Sequence, residues 1–252
     1  MTNSTNTTAT DFHPKENISE VKFTKKDFDT SLIKLMLEEP FYAAVLRGVN
    51  KIMTTSIPTA GVSTTGTEIN MYWSPEFLAG LTKDQVKGLL KHEAMHLAYE
   101  HTTTRRMTPH IVHNYATDLA INSDIPANEL PEGGLVPGVE FAELTDEQKT
   151  KMSEESMERY YRISKKIASF PTHKSSEWYF SKIIEDEELK QDIEEANSSG
   201  EFSLMDDHEG WGDLSDEEKQ LVKAKIKKAL ENAIKDSDKT GRWGTVGRET
   251  RE

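Results

Sequence analysis

Hydrophobic and polar residues recur along this chain with two different periods, and each period predicts a different kind of element. Apolar residues return every three or four positions, the period of an amphipathic α-helix, in seven segments. These segments lie near residues 24–39, 41–53, 82–97, 108–123, 145–168, 175–195 and 215–236. In the piece from 67 to 73, Ile69, Met71 and Trp73 instead fall on one side of an extended strand. We therefore expect a mostly helical α+β protein with a small β-sheet.

The two ends of the chain show neither period. Residues 1–22 are rich in Thr, Asn and Ser, a composition typical of disordered segments. Residues 237–252 are mostly polar. The pattern predicts one folded domain over residues 23–236, preceded by a disordered tail and followed by a polar one.

The helix predicted over 82–97 contains the sequence H-E-A-M-H, in which His92 and His96 are four positions apart and Glu93 follows the first. Thr82, with a Gln three residues later, forms a capping box that supports a helix here. Residues four apart share one face of a helix, so both imidazoles can reach one metal ion. Zinc prefers such nitrogen ligands, and a catalytic site keeps a position for water, from which Glu93 can take a proton. The motif predicts a metallohydrolase acting on peptide bonds, the alternative being two solvated histidines on a surface helix.

A zinc site needs at least one further ligand, and the next predicted helix offers one. Asn114, Asp118 and Asn122 recur every four residues on a helix whose other residues are largely apolar or small. A carboxylate in such surroundings is costly unless it is paired or binds a metal, so Asp118 is the expected third ligand. Asn114 and Asn122 would then orient Asp118 or contact the histidines. Asn114 and His208 remain alternative ligands, and Asp118 could instead act as a cap or pair with an arginine such as Arg105 or Arg106.

Three other side chains are candidates for roles near the same site. His101 lies five residues after His96, which rotates it about 140° away on a straight helix. Joining the site would require a helix break at Glu100, so we expect His101 to pack elsewhere or to lie on the surface. His208, in an acidic loop, could stabilise the oxyanion of a tetrahedral intermediate or could be an exposed loop residue. Tyr99 is a second candidate for the oxyanion role.

Composition narrows the classes of function. The 252 residues contain 31 Lys and Arg against 44 Asp and Glu, a formal net charge of −13, which disfavours binding to nucleic acid. The chain has no cysteine, so disulfides and Cys-based zinc sites are excluded and any metal must be held by His and carboxylate. No apolar run approaches the length of a membrane span, and the first residues do not form a secretory signal. A cytoplasmic location without membrane contact is the expectation.

An ordered series of short motifs gives the chain a resemblance to a known family. The motifs are S-I-P-T-A (56–60), M-Y-W-S-P-E-F (71–77), L-L-K-H-E-A-M-H-L-A (89–98), N-Y-A-T-D-L-A-I-N (114–122), L-P-E-G-G (130–134) and the D-H pair at 207–208 with Trp211. Over about residues 40–235, this series resembles the metallopeptidase domain found ahead of von Willebrand A-like domains in bacterial and phage proteins. The resemblance implies a zincin-like core and peptidase activity. This chain stops near Glu252 without an A-like domain, so we expect a stand-alone or a truncated form, with a partner protein in place of that domain.

These observations together predict an α+β, zincin-like domain whose small sheet lies next to the active-site helix. The strand Ile69–Trp73 is expected at the sheet edge, where an extended peptide or protein substrate would add as a further strand. The predicted site comprises Zn2+ with the ligands His92, His96 and Asp118, the general base Glu93 and the assisting His208. The alternative is a non-hydrolytic module in which the metal only stabilises the fold, for example a phage processing or assembly factor with one protein target.

Overall fold

The computed structural model describes residues 23–199 and 214–246 of the chain. In these ranges it has ten α-helices, two single 3-10 turns and one three-stranded sheet. The helices are α1 (Lys25–Glu38), α2 (Pro40–Val45), α3 (Pro75–Ala79), α4 (Lys83–Ala98), α5 (His110–Asn122), α6 (Asp146–Lys151), α7 (Glu154–Ala168), α8 (Ser176–Glu185), α9 (Glu187–Ser199) and α10 (Asp216–Thr240). The strands are β1 (Asn50–Met53), β2 (Ala60–Thr65) and β3 (Glu68–Trp73). The prediction of a mostly helical α+β domain with a small sheet is confirmed.

Several helices begin where the sequence predicts, because a side chain caps their first turn. Thr24, Thr82 and Ser215 each accept a hydrogen bond from the backbone amide three residues later, and the side chain of that later residue accepts one from the backbone amide of the cap. These reciprocal bonds satisfy amides that the helix itself leaves without partners. None of the described helices combines the length and the apolar character that crossing a membrane would require.

The prediction of a helix over residues 41–53 is wrong in its second half. α2 ends at Val45, one 3-10 turn follows, and the chain then continues as β1. All four residues of β1 pair in parallel with β3. Pairing with a strand that is distant in sequence overrides a local helical pattern that is only a few residues long.

The helices expected over 145–168 and 175–195 are each broken once. Ser153 and Asp186 stand at the breaks, and each side chain accepts a hydrogen bond of 3.1 Å from the backbone amide three residues later. Each break therefore begins a new, capped helix. Ser153 and Asp186 are short polar residues within segments whose apolar residues otherwise recur with the period of a helix. Their positions are the sequence signal for these breaks.

The order of strands in the sheet is β1-β3-β2, so β3 lies in the middle. β1 pairs with it in parallel and β2 pairs with it antiparallel. The prediction that Ile69–Trp73 forms the sheet edge is therefore wrong, and a peptide cannot add to this strand because both of its sides are already hydrogen-bonded. The error follows from β1, whose residues the sequence pattern assigned to a helix.

Buried apolar side chains form two clusters that adjoin where α4 lies next to α5. The first cluster is built mainly from the sheet, α1, α2, α4 and α10, and the second from α5, α7, α8 and α9. Every residue of α4 from Val86 to Leu97 is buried. The two histidines of the H-E-A-M-H motif are therefore enclosed, and the alternative of a solvated pair on a surface helix is wrong.

The segment that follows α10 packs against α4. Lys91 of α4 donates a hydrogen bond of 2.6 Å to the hydroxyl of Thr245, which itself donates one of 2.8 Å to Glu39. Val246 is buried. The folded domain therefore extends to Val246, beyond the predicted end at residue 236. The predicted disordered tail, residues 1–22, lies outside the described residues.

Gly88 allows the backbone of α4 to touch the 3-10 turn Ala127–Glu129. A Cβ atom built on Gly88 would lie 2.0 Å from the carbonyl oxygen of Glu129. Gly88→Ala should therefore lower the free energy of unfolding by about 1–3 kcal/mol through overpacking, although alanine itself favours a helix by about 1 kcal/mol. Urea denaturation measures the change. At Gly48 an added Cβ meets nothing within 4 Å, so Gly48→Ala is the control, and equal losses in the two variants would contradict the packing argument.

Thr245→Val keeps the shape of the side chain but removes the hydroxyl between Lys91 and Glu39. Because hydrogen bonds to charged groups contribute about 1.5–3 kcal/mol, we expect a loss of that size in the free energy of unfolding. Chemical denaturation of Thr240→Val provides the comparison, since the hydroxyl of Thr240 is exposed and donates only to backbone carbonyls. A Thr245→Val variant as stable as the unsubstituted chain would show that the segment does not hold α4.

Candidate metal centre

Three polar side chains from two helices meet inside the protein. His92 and His96 come from successive turns of α4 and Asp118 comes from the middle of α5. Nε2 of His96 lies 2.9 Å from Nε2 of His92 and 3.3 Å from Oδ1 of Asp118, and Nε2 of His92 lies 3.7 Å from the same oxygen. All three residues are buried. We call these three atoms the donor group.

The donor group has the dimensions of a zinc site. Ligand atoms at about 2.0–2.1 Å from a tetrahedral zinc ion lie about 3.3 Å from one another. The three observed distances of 2.9, 3.3 and 3.7 Å bracket this value. Among residues 23–199 and 214–246, no further His, Cys, Asp or Glu joins the group. The arrangement therefore fits a four-coordinate metal that keeps one position for a ligand from outside these residues.

The outer nitrogen of His92 is held by Asn122 of α5. Oδ1 of Asn122 lies 2.9 Å from Nδ1 of His92, and Nδ2 of Asn122 donates a 2.9 Å hydrogen bond to the carbonyl oxygen of Leu135. Only Nδ2 of the amide can donate, so its oxygen faces the imidazole and accepts a hydrogen bond from the N–H at Nδ1. Nε2 of His92 is then left with its lone pair directed at the donor group. The expected contact between Asn122 and a histidine is present.

The outer nitrogen of His96 faces His101, whose Nδ1 lies 3.3 Å from Nδ1 of His96. The predicted location of His101 away from the site is wrong, because α4 ends at Ala98 and Glu100 adopts a left-handed conformation with φ of 58°. The turn brings His101 back against the helix, where it is 1% exposed. Burial lowers the pKa of His101 well below its ordinary value, which favours the neutral ring. The sequence carried little signal for this, since glycine rather than glutamate is the usual residue at such a turn.

Glu93 is completely buried on α4, directly after His92. It does not belong to the donor group. A carboxylate in such a place is costly unless nearby polar or charged groups compensate for its burial. Glu93 is therefore a buried carboxylate next to His92 in the sequence that the donor group does not include.

The remaining predicted residues take different positions. Asn114, an alternative ligand, lies one turn before Asp118, and its buried Oδ1 has no hydrogen-bond partner among the described residues. Arg105 forms its ion pair with Glu177 at 2.5 Å, so the alternative in which Arg105 pairs with Asp118 is wrong. Tyr99 caps the end of α4, and burial raises its pKa to about 12. His208 and Trp211 lie outside the described residues.

The donor group borders a very small cavity. This cavity measures about 20 Å³, and His92, Asp118 and Asn122 form its polar wall while the segment 130–135 closes the opposite side. It has room for about one water molecule. A larger cavity of about 350 Å³ lies between α2, β3 and α10, and it is lined by none of the three ligand candidates. The cavity beside the donor group is too small to hold a peptide.

Of three comparisons with known proteins, the one with family models matches this chain. A family model described as "Putative metallopeptidase domain" matches residues 24–247. Searches of curated proteins and of solved structures return no match. The family match covers most of the chain and confirms the resemblance drawn from the short motifs. The chain therefore belongs to the family described as "Putative metallopeptidase domain".

Proposed function

We propose that this protein is a zinc-dependent metallopeptidase with a zincin-like arrangement of its active-site helix. The observation that carries the proposal is the donor group, in which two imidazoles and one carboxylate have the spacing of a tetrahedral zinc shell. The described residues offer three ligands, and three protein ligands with an open fourth position are typical of catalytic rather than structural zinc. The packing of α4 against β2 supports the zincin-like assignment.

Four side chains would take part in the proposed reaction. His92, His96 and Asp118 would hold the metal. When bound, zinc lowers the pKa of a water molecule toward about 7 and polarises the carbonyl of the scissile bond. Glu93 would accept a proton from the attacking water as the water oxygen adds to the carbonyl carbon of the scissile bond. It would then pass that proton to the nitrogen as the C–N bond breaks, which completes hydrolysis without a covalent intermediate on the protein.

The proposed substrate is a peptide or a protein segment in extended form. The cavity at the donor group is too small for it, so substrate entry requires the segment 130–135 to move away from α4. Gly133 in this segment has φ of 87°, a conformation that favours glycine, and the segment otherwise lacks helix or strand. A partner protein that binds the segment in its open position could therefore also control access.

A second candidate function is a non-hydrolytic module in which the metal fastens α4 to α5. The observation that favours it is the burial of the site, because His96 and Glu93 are both 0% exposed. A structural zinc site needs no proton acceptor beside it, so the buried Glu93 argues for hydrolysis. Replacement of Glu93 separates the two functions.

Glu93→Gln should retain zinc and lose activity, because the amide keeps the shape of the carboxylate but cannot accept the proton. General acid–base groups contribute about 10²–10⁴-fold, so we expect a decrease of that size in the cleavage of a mixture of unstructured peptides followed by mass spectrometry. Glu132→Gln, at an exposed position on the nearby segment, is the control and should remain active. Unchanged cleavage by Glu93→Gln would remove this residue from the mechanism. A chain that cleaves no peptide but unfolds when zinc is removed would favour the second candidate.

Asp118→Asn should weaken zinc binding strongly, because the third ligand loses its negative charge. We expect the zinc affinity, measured by competition with a chromophoric chelator, to fall by more than about 10-fold, the lower end of the losses found for groups that only support a ligand. Asp124→Asn is the matched control, since Asp124 is exposed and pairs with His173. Elemental analysis of the same samples would identify the native metal, because cobalt, manganese or iron would fit similar ligands. Equal zinc contents and affinities in both variants would contradict a ligand role for Asp118.

A further inference from the structure

We infer that His101 is a positioning residue that fixes the orientation and the proton of His96 in the metal centre. The inference rests on the proposed function and extends it. Each imidazole of the donor group has an outer nitrogen that faces one side chain. For His92 this side chain is Asn122, and for His96 it is His101. The two contacts have the same form, since in both cases Nδ1 of the ligand meets a buried polar atom.

The backbone at the end of α4 produces the contact between His96 and His101. The amide of His101 donates to the carbonyl oxygen of His96 at 3.0 Å, and the amide of Glu100 donates to that of Leu97 at 3.1 Å. This pair of bonds around a left-handed residue is the Schellman arrangement, which brings the side chain after the turn against a residue in the last turn of the helix. The contact usually joins two apolar side chains. Here it joins two imidazoles, and the left-handed residue is Glu100 rather than glycine.

The location of the proton on His96 follows from its place in the donor group. Nε2 of His96 must be unprotonated in order to bind a metal, so the neutral ring carries its proton on Nδ1. That proton needs an acceptor, because ligating histidines almost always donate their other ring N–H. Nδ1 of His101 lies within reach, 3.3 Å from Nδ1 of His96. His101 then carries its own proton on Nε2.

His101 is itself held by the helix that supplies the third ligand. Nε2 of His113, in the first turns of α5, donates a 3.1 Å hydrogen bond to the backbone carbonyl of His101. His113 and His101 are both buried, 0% and 1% exposed. α5 therefore provides Asp118 to the metal and also fixes the turn that positions His96. A shift of α5 would disturb both contacts together.

Two substitutions of nearly the same shape separate positioning from packing. Oδ1 of asparagine lies two bonds from Cβ, as Nδ1 of histidine does. This oxygen can therefore accept a hydrogen bond from the Nδ1–H of His96. Leucine has the same branching but no acceptor. His101→Leu should weaken zinc affinity by about 10–100-fold, the range found when the partner of a ligating histidine is removed. His101→Asn should bind zinc nearly as tightly as the unsubstituted chain.

The experiment is a zinc titration against a chromophoric chelator, with the melting temperature of each metal-free protein recorded alongside. Weak binding by His101→Leu and recovery in His101→Asn would support the inference. Equal losses in the two variants would show that only packing matters, and normal binding by both would show that His101 does not position His96, so either outcome overturns it. Failure of the unsubstituted chain to bind zinc would instead overturn the proposed function.

A second measurement needs no substitution and therefore does not depend on the folding of a variant. Long-range ¹⁵N–¹H correlation spectra of the zinc-loaded protein report which ring nitrogen carries the proton. We expect His96 to be protonated on Nδ1 and His101 on Nε2. A proton on Nδ1 of His101 would mean that this residue cannot accept from His96, and the inference would fail.

Discussion

The burial of polar donors where α4 meets α5 is the constraint on which the rest of this structure depends. The two apolar clusters of the protein adjoin at these helices, and at their junction two imidazoles and a carboxylate take the place of apolar side chains. Polar groups in such a place are stable only when each atom has a partner. Asn122 and His101 provide partners for the outer nitrogens, which leaves the inner atoms of the donor group directed at one point. A metal ion at that point would satisfy all three at once.

α4 is held rigidly enough to keep this geometry. Lys87 forms ion pairs with Glu38 of α1 at 2.7 Å and with Glu129 at 2.8 Å, so one buried side chain ties the helix to two neighbours. One turn later, Lys91 is tied to the segment after α10. Gly88 lies between them, against the backbone of Glu129. Functional side chains are placed most accurately on elements whose own neighbours are fixed, and α4 meets that condition on several sides.

Local spacing explains what the sequence could predict and what it could not. His92 and His96 are four residues apart on one helix, and so are Asp118 and Asn122. Residues at this interval share a face of their helix, so each pair could be placed on one face from the residue numbers alone. The place of β3 in the middle of the sheet depends on pairing with β1, which no local pattern reveals. His101 was missed because its contact depends on a left-handed turn at Glu100, a residue that rarely takes this conformation. Side chains that act through tertiary turns are thus harder to predict than those on a regular helix.

The proposed reaction requires a substrate to reach a buried site. The cavity beside the donor group measures only about 20 Å³, and residues of the segment 130–135 form part of its lining. The central claim is that one metal ion is bound by two imidazoles and a carboxylate at the junction of α4 and α5. The most direct measurement is the X-ray absorption spectrum of the zinc-loaded protein. The account predicts four light-atom ligands at about 2.0–2.1 Å with the outer-shell scattering of two imidazole rings. A six-coordinate oxygen shell without imidazole scattering would contradict it.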